Sequence, residues 1–278
     1  DAKRVYSNYT GLGNYSRSLI KALSIYFPEN NYYLYTPAIS DLFNTNDLTH
    51  VCTVTPQTFP GNIFKSAWRS SWVKRELQKN NIDLYHGLSH EIPIGIQHTK
   101  IKTVVTVHDL IFERYPEQYN AIDVKIYRKK FMNACKNATA VIAISTQTKN
   151  DIIDFYKIPA EKIHVCYQSC NPAFAAICSE AEKTAVKEKY NLPGKYFLYT
   201  GSVIERKNLL NICKAMKLLK PELNIPLVVI GEGSSYKKIV LQYIKDNGLE
   251  QQVIFLNDHP AIKATGAYVP AKDLPAIY

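Results

Sequence analysis

Short runs of β-branched and aromatic residues alternate with longer amphipathic stretches along almost the whole chain. Val104-Val105-Thr106-Val107 and Leu227-Val228-Val229-Ile230 are apolar on both faces, the pattern of strands covered from both sides in a parallel sheet. Strands are predicted over residues 32–36, 83–86, 103–108, 140–145, 163–167, 196–201, 226–231 and 253–256. Between them, Tyr15, Leu19, Leu23 and Phe27 recur every four residues, and Leu209, Cys213, Met216 and Leu219 keep spacings of four and three, which marks helices with one apolar face. Strand alternating with helix predicts parallel sheets with helices on both faces and right-handed crossovers. The pattern pauses at Asn171-Pro172-Ala173-Phe174, and a charged helical stretch then leads into a new strand. Two Rossmann-like domains are therefore expected, 1–174 and 175–278. Open sheets of this kind bind ligands beyond the carboxyl ends of their strands, so the site is expected there, in a cleft between facing domains.

Composition narrows the classes. With 278 residues, 46% hydrophobic and 21% charged, the chain can build two ordinary globular cores. No apolar run approaches the roughly 20 residues that span a bilayer, and the first residues lack the apolar stretch of a signal peptide; a cytoplasmic protein is expected. Cys52, Cys135, Cys166, Cys170, Cys178 and Cys213 are scattered and make no CxxC pair, which argues against a zinc or disulfide framework. The net charge of +10 suits an anionic partner, whether a phosphate-bearing ligand, an acidic lipid surface or nucleic acid. There is no HExxH, Walker loop, GxSxG or zinc-finger spacing.

Four short segments carry candidate chemistry. Thr10-Gly11-Leu12-Gly13-Asn14 precedes the helix expected over 15–27, where glycines admit a ligand to the backbone and a helix N-terminus offers free N–H groups. A plain tight turn fits that fragment equally well. His108-Asp109 ends the strand expected at 103–108: the histidine can donate to a sugar hydroxyl or a phosphate oxygen, and Asp109 can orient the ring or cap the next turn. Gly201 to Asn208, with Glu205-Arg206-Lys207 at its centre, joins a strand to a helix. An Arg fork and a Lys point charge beside a helix N-terminus suit a diphosphate. Gly231-Glu232-Gly233-Ser234 follows the next strand and reads either as a close approach for a nucleoside or as a strand-to-helix turn. Two basic faces complete the inventory. Phe64, Trp68 and Trp72 recur among Lys65, Arg69, Lys74 and Arg75, and Lys125, Arg128, Lys129 and Lys130 cluster on another helix. Each reads as core plus a solvated face, or as a surface resting on an anionic membrane.

These residues, in this order, resemble the large retaining GT-B family of bacterial mannosyl-, glucosyl- and related transferases. The matching runs are Asp1-Ala2-Lys3-Arg4, Thr10-Gly11-Leu12-Gly13-Asn14-Tyr15-Ser16-Arg17, and Tyr85-His86-Gly87-Leu88-Ser89 with Glu91 and Pro93. Val107-His108-Asp109-Leu110 with Tyr115-Pro116-Glu117, Ile144-Ser145, Gly201 with Glu205-Arg206-Lys207-Asn208, and Gly231-Glu232-Gly233 follow. The resemblance implies a GT-B fold with the acceptor on the N-terminal domain and a nucleotide diphosphate sugar on the C-terminal one. His108, Arg206 and Lys207 take the catalytic roles. Gly11, Gly13, Gly201, Gly231 and Gly233 join the two cations at the donor, and His86, Ser89 and Asp109 lie on the acceptor side. It further implies transfer with retention to a glycan or lipid-linked acceptor in cell-surface polysaccharide synthesis, with no cofactor, no bound metal, no nucleic acid and possible peripheral contact with an anionic membrane at its inner face. The family places a strand before Asp1 and a paired-glutamate motif beyond Tyr278, so the second domain is expected to be incomplete. A GT-B-type sugar-nucleotide epimerase and a non-catalytic nucleotide-sugar-binding relative are the alternatives. A dinucleotide oxidoreductase lacks its full glycine fingerprint here.

Overall fold

The computed structural model describes residues 1–57, 59–219, 222–264 and 268–278. The chain divides into two compact units, Asp1–Cys170 and Asn171–Tyr278, with every paired strand parallel.

In the first unit β1 (Tyr32–Tyr35) pairs with β2 (Val51–Val54), and β3 (Leu84–Gly87), β4 (Lys102–Val107), β5 (Ala140–Ala143) and β6 (Ile163–Val165) form a four-stranded sheet in chain order. Asp1-Ala2 links the two sheets: the Ala2 N–H donates to the Tyr35 carbonyl and the Asp1 nitrogen to the His86 carbonyl, at 2.8 and 2.7 Å. Helix α1 (Gly11–Tyr26), α2 (Ala121–Asn137) and α3 (Thr146–Tyr156) supply the longer helices of this unit. Val105 and Val107 from β4, Val141 and Ala143 from β5, Leu77, Ala134, Cys135 and Ile152 are all sealed from solvent in one cluster. The strand β2 was not predicted. Val51-Cys52-Thr53-Val54 is half exposed along its length, and an edge strand of four residues leaves little hydrophobic pattern to read.

The second unit has a three-stranded sheet of β7 (Phe197–Thr200), β8 (Leu227–Ile230) and β9 (Val253–Phe255), with α4 (Glu180–Tyr190), α5 (Leu209–Leu219) and α6 (Ser235–Asp246). The two-faced run of β8 explains itself. Val229 joins Leu209, Cys213, Val240 and Ile244 on one face, while Val228 joins Tyr190, Leu256 and Ile262 on the other. Successive side chains of a strand point to opposite faces, so a central strand covered twice must be apolar throughout.

The first helix starts earlier than its apolar spacing indicates. Gly11 to Asn14 lie inside its first turn rather than in a loop before it. The stripe Phe64, Trp68, Trp72 is also broken up. Trp68–Trp72 forms a π-turn, which shifts the phase of the face. Trp68 is 2% exposed and donates its indole N–H to Glu76 at 2.6 Å, whereas Phe64 and Trp72 remain on the surface, edge to face with each other.

Candidate functional site

In the first unit the candidate residues gather at the carboxyl ends of β3 and β4 and the start of α1. His108 follows β4 directly and is 7% exposed. Its Nε2 lies 3.0 Å from the Leu88 carbonyl oxygen. A carbonyl only accepts, so Nε2 carries the proton and Nδ1 holds the lone pair. Nδ1 accepts from the Gln168 side-chain amide at 2.9 Å. Burial holds the ring's pKa below the ordinary histidine value, so the neutral tautomer prevails near pH 7. In this arrangement the His108 donor is bonded to the backbone, and the atom facing exposed Gln168 is an acceptor. Such an atom suits a hydroxyl group and repels a phosphate oxygen.

Asp109 does not orient this ring. Its carboxylate accepts from the Ile111 N–H at 3.2 Å and so caps the following turn. The ring is held instead by Leu88, Gln168 and the edge-to-face ring of Tyr15, 4.8 Å away. Tyr15 and Gln168 escaped sequence reasoning, Tyr15 because its place in the apolar stripe of α1 reads as core. Its hydroxyl bonds Thr106 Oγ1 at 3.1 Å, and the same oxygen meets His86 Nε2 at 2.8 Å. His86 is thus tied into an internal chain, and burial, with the Asp1 amino group and then His108 nearby, pushes its pKa down to about 3. Ser89 is 5% exposed between them in sequence and His90, also unpredicted, adopts a left-handed backbone (φ 65°) and stacks flat on Phe131 at 4.2 Å.

The glycines separate into two kinds. At Gly13 a Cβ would sit 1.9 Å from the Asn8 carbonyl oxygen, and its N–H is already bonded to Asn8 Oδ1. Gly231 and Gly233 are likewise pressed against the carbonyls of Gly201 and Val203, at 1.9 and 2.1 Å from a would-be Cβ. Their missing side chains serve the protein's own close approaches. Gly11 and Gly201, by contrast, face open space, and the Gly11 and Leu12 amides have no partner among the described residues. Gly201 also has φ +143°, a conformation that disfavours any side chain.

In the second unit the Gly201 loop leaves β7 and is stitched to the loop after β8 by Gly201 N–H to Ile230 O and Val203 N–H to Glu232 O, at 2.9 and 2.8 Å. Asn257, absent from the sequence expectations, accepts from the Gly231 N–H at 2.8 Å and fixes that second loop. Glu205–Lys207 then forms a single 3₁₀ turn ahead of α5, with Asn208 in a left-handed conformation. Arg206 and Lys207 are exposed on this turn, and neither has an ion-pair partner among the described residues. Lys237, after the neighbouring strand β8, is instead paired with Glu232 at 3.1 Å. Arg206 and Lys207 thus lie exposed and without ion-pair partners on the loop that begins at Gly201, whose Ser202, Glu205 and Arg206 amides have no hydrogen-bond partner among the described residues. Among the described residues no group of three or more His, Cys, Asp or Glu is placed to hold a metal ion, and no helix is long and apolar enough to cross a membrane.

Residues 9–174 match the model of Glycosyltransferase Family 4, and residues 180–266 match Glycosyl transferases group 1. O-antigen chain mannosyltransferase B of Escherichia coli is 26% identical over 213 residues, which cover 76% of this chain and 51% of that protein. O-antigen chain mannosyltransferase RfbU of Salmonella typhimurium is 27% identical over 170 residues, 61% of this chain and 42% of that one. The chain thus spans about half the length of these curated relatives. Among solved structures, Anabaena Alr3699/HepE in complex with UDP-glucose superposes with a TM-score of 0.68 at 17% identity, covering 98% of this chain and 69% of that one. WaaG, a glycosyltransferase involved in lipopolysaccharide biosynthesis, superposes with a TM-score of 0.57 at 13% identity, covering 90% and 67%. These likenesses show a GT-B fold. Since the first family model alone covers more than half the chain, and the second takes up where it ends, the chain belongs to the glycosyltransferases of family 4 and group 1.

Proposed function

We propose that this chain carries the donor-diphosphate site and the hydroxyl-recognition site of a retaining hexosyltransferase acting from a nucleoside diphosphate sugar. The acceptor is a glycan or lipid-linked sugar of a cell-surface polysaccharide, met at the inner face of a membrane. The observation that carries this reading is the exposed, unpaired pair Arg206 and Lys207 on the loop that begins at the open Gly201. In the reaction, the bond from the anomeric carbon to the diphosphate oxygen breaks and a bond to the acceptor oxygen forms on the same face. The hydroxyl proton leaves with the diphosphate. Arg206 and Lys207 supply the positive charge that the departing diphosphate requires. His108, with Nδ1 as an acceptor, takes a hydrogen bond from a sugar hydroxyl once Gln168 swings aside, and the free amides of Gly11 and Leu12 offer donors. The names of the curated relatives favour mannose as the transferred sugar, while a solved neighbour holds UDP-glucose.

The test is turnover of nucleoside diphosphate mannose and of UDP-glucose by the full-length protein and its Arg206→Ala/Lys207→Ala variant. Loss of one preorganised donor to developing charge typically lowers turnover about 10²-fold or more, so the double variant should fall at least that far while keeping its fold. Unchanged turnover would sink the assignment. Donor consumed without any acceptor, with the sugar inverted at a ring carbon, would identify an epimerase instead.

A further inference from the structure

His90 lies just after β3 and is fixed through both its backbone and its ring. Its backbone is left-handed, with φ at 65°, a conformation that few residues other than glycine adopt, Asn and His among them. Two hydrogen bonds keep it there. The His90 N–H donates to the Thr106 carbonyl at 2.9 Å, and its Nδ1 accepts from the His108 N–H at 3.4 Å. The ring lies flat on Phe131 at 4.2 Å, with 6° between the planes, and meets the His108 ring edge to face at 5.1 Å. The buried His108 N–H has no other acceptor among the described residues. A buried amide needs an acceptor, so Nδ1 of His90 keeps its lone pair and the ring proton sits on Nε2. Burial, with His108 and then Arg4 nearby, holds the His90 pKa well below the ordinary histidine value, and the ring is neutral.

The Nε2 proton has no acceptor within the protein. His90 is only 9% exposed, yet its Nε2 makes no hydrogen bond among the described residues. Among the described residues the one fully enclosed side-chain polar atom without a partner is Gln252 Oε1, so His90 Nε2 opens to solvent. A neutral donor on a ring held by a stack and by its other nitrogen is already oriented for an incoming oxygen, and leaving it unmade is costly. The adjoining His108 ring has the reverse arrangement. Its Nε2 is bonded to the Leu88 carbonyl, and its Nδ1 is an acceptor that Gln168 occupies. Two touching, uncharged rings therefore present one donor and one acceptor. A phosphate oxygen would match the first and be repelled by the lone pair of the second. Neighbouring hydroxyls of a sugar match both, one oxygen accepting while the other hydroxyl donates.

We propose that His90 is a specificity-determining residue, whose Nε2–H donates to one hydroxyl oxygen of a hexose while the neighbouring hydroxyl donates to His108 Nδ1. The assignment rests on the transferase reading, in which His108 meets a sugar. Binding of nucleoside diphosphate mannose, UDP-glucose and their monodeoxy analogues to the full-length protein is measured by calorimetry. Methyl mannoside and its monodeoxy analogues are offered as acceptors in transfer assays. The unsubstituted protein should disfavour the analogue lacking the contacted hydroxyl by about five- to tenfold, the scale of one uncharged hydrogen bond. In His90→Asn that penalty should vanish at this one position and persist at the others. Asparagine tolerates the left-handed backbone. Its Oδ1 stands where the histidine Nδ1 is and can accept from His108, while its amide nitrogen stops at the place of the ring carbon Cδ2, short of Nε2. Coupling to a single hydroxyl is a result that a merely structural residue does not give. A penalty in donor binding identifies the transferred sugar, and one seen only in transfer to methyl mannoside identifies an acceptor sugar. Independently of any substitution, the Nε2 proton of His90 should exchange more slowly with water, by NMR, once the hexose is bound. Unchanged exchange would overturn the proposal. So would unchanged discrimination in His90→Asn, or a uniform loss against every analogue, while His108→Gln relaxes discrimination at one position; the transferase reading would then stand without a role for His90. Failure of the unsubstituted protein to bind either donor would remove the transferase reading, and this assignment with it.

Discussion

At Gly11 and Gly13, two identical residues two positions apart have different reasons to lack a side chain. A methyl group at Gly13 collides with the Asn8 carbonyl, whereas one at Gly11 meets nothing within 4 Å. Gly13→Ala should therefore lower stability by several kcal/mol, about the scale of severe overpacking, since backbone and not a flexible side chain must give way. Gly11→Ala should change stability by no more than about 0.5 kcal/mol, because the position is the exposed first residue of the helix and has room for a methyl group. If Gly11 lies against substrate, the same substitution should lower turnover. Urea denaturation and initial rates on the two variants separate these outcomes; a stable, fully active Gly11→Ala protein would remove Gly11 from the site. His108 shows a similar division of labour within one ring. Nε2 is spent on Leu88 and Nδ1 is left for exchange between Gln168 and a hydroxyl. None of this can be read from a histidine following an apolar strand, since it depends on atoms 20 and 60 residues away in sequence.

Among the elements, the strand-end loops are positioned by caps and stitches that local sequence partly reveals. Ser145, one of the residues in the family-like order, accepts from the Thr148 N–H at 3.1 Å and is the N-cap of α3. Thr148 in turn donates its hydroxyl to the His108 carbonyl at 3.2 Å, so this cap also steadies the backbone at the candidate site. Ser145→Ala should cost about 1 kcal/mol, read as a lower midpoint in denaturant at unchanged m-value. No change in midpoint would show that the cap is not limiting. In sequence Ser145 reads only as the end of a strand, so its cap shows only in the fold, as does the π-turn at Trp68–Trp72. A spacing of four reads as a continuous stripe, but the extra residue per turn sends Trp68 inward to Glu76 and leaves Trp72 outside.

On the scale of the whole molecule, the two units have separate cores: one pair of hydrophobic clusters draws its buried residues from the first unit, the other from the second. His86, His90 and His108, the histidines whose pKa values are lowered by burial, all belong to the first. A base held neutral in the folded state contributes nothing adverse above its unfolded pKa of about 6.5. Below that pH the unfolded chain binds protons that the folded chain refuses. Stability of the first unit should then fall by roughly 1.4 kcal/mol per pH unit for each histidine that stays neutral, for His86 down to about pH 3. Differential scanning calorimetry between pH 7 and about 4.5 should show the first unit's transition moving down while the second unit's holds. Parallel movement of both transitions, or a pH-independent first transition, would contradict this partition.

The sequence by itself determined the α/β class, all but one of the nine strands described, the register of the apolar faces and the adjacent cations Arg206 and Lys207. These are local or periodic properties, set by side-chain alternation, helix spacing and the charge of adjacent residues. Only the tertiary structure decided which glycines face open space, which nitrogen of His108 carries the proton, and that Tyr15 and Gln168 hold its ring. Each of these depends on backbone and side chains brought together from distant positions, where close approach and hydrogen-bond satisfaction are determined by packing in three dimensions and leave no periodic trace along the chain.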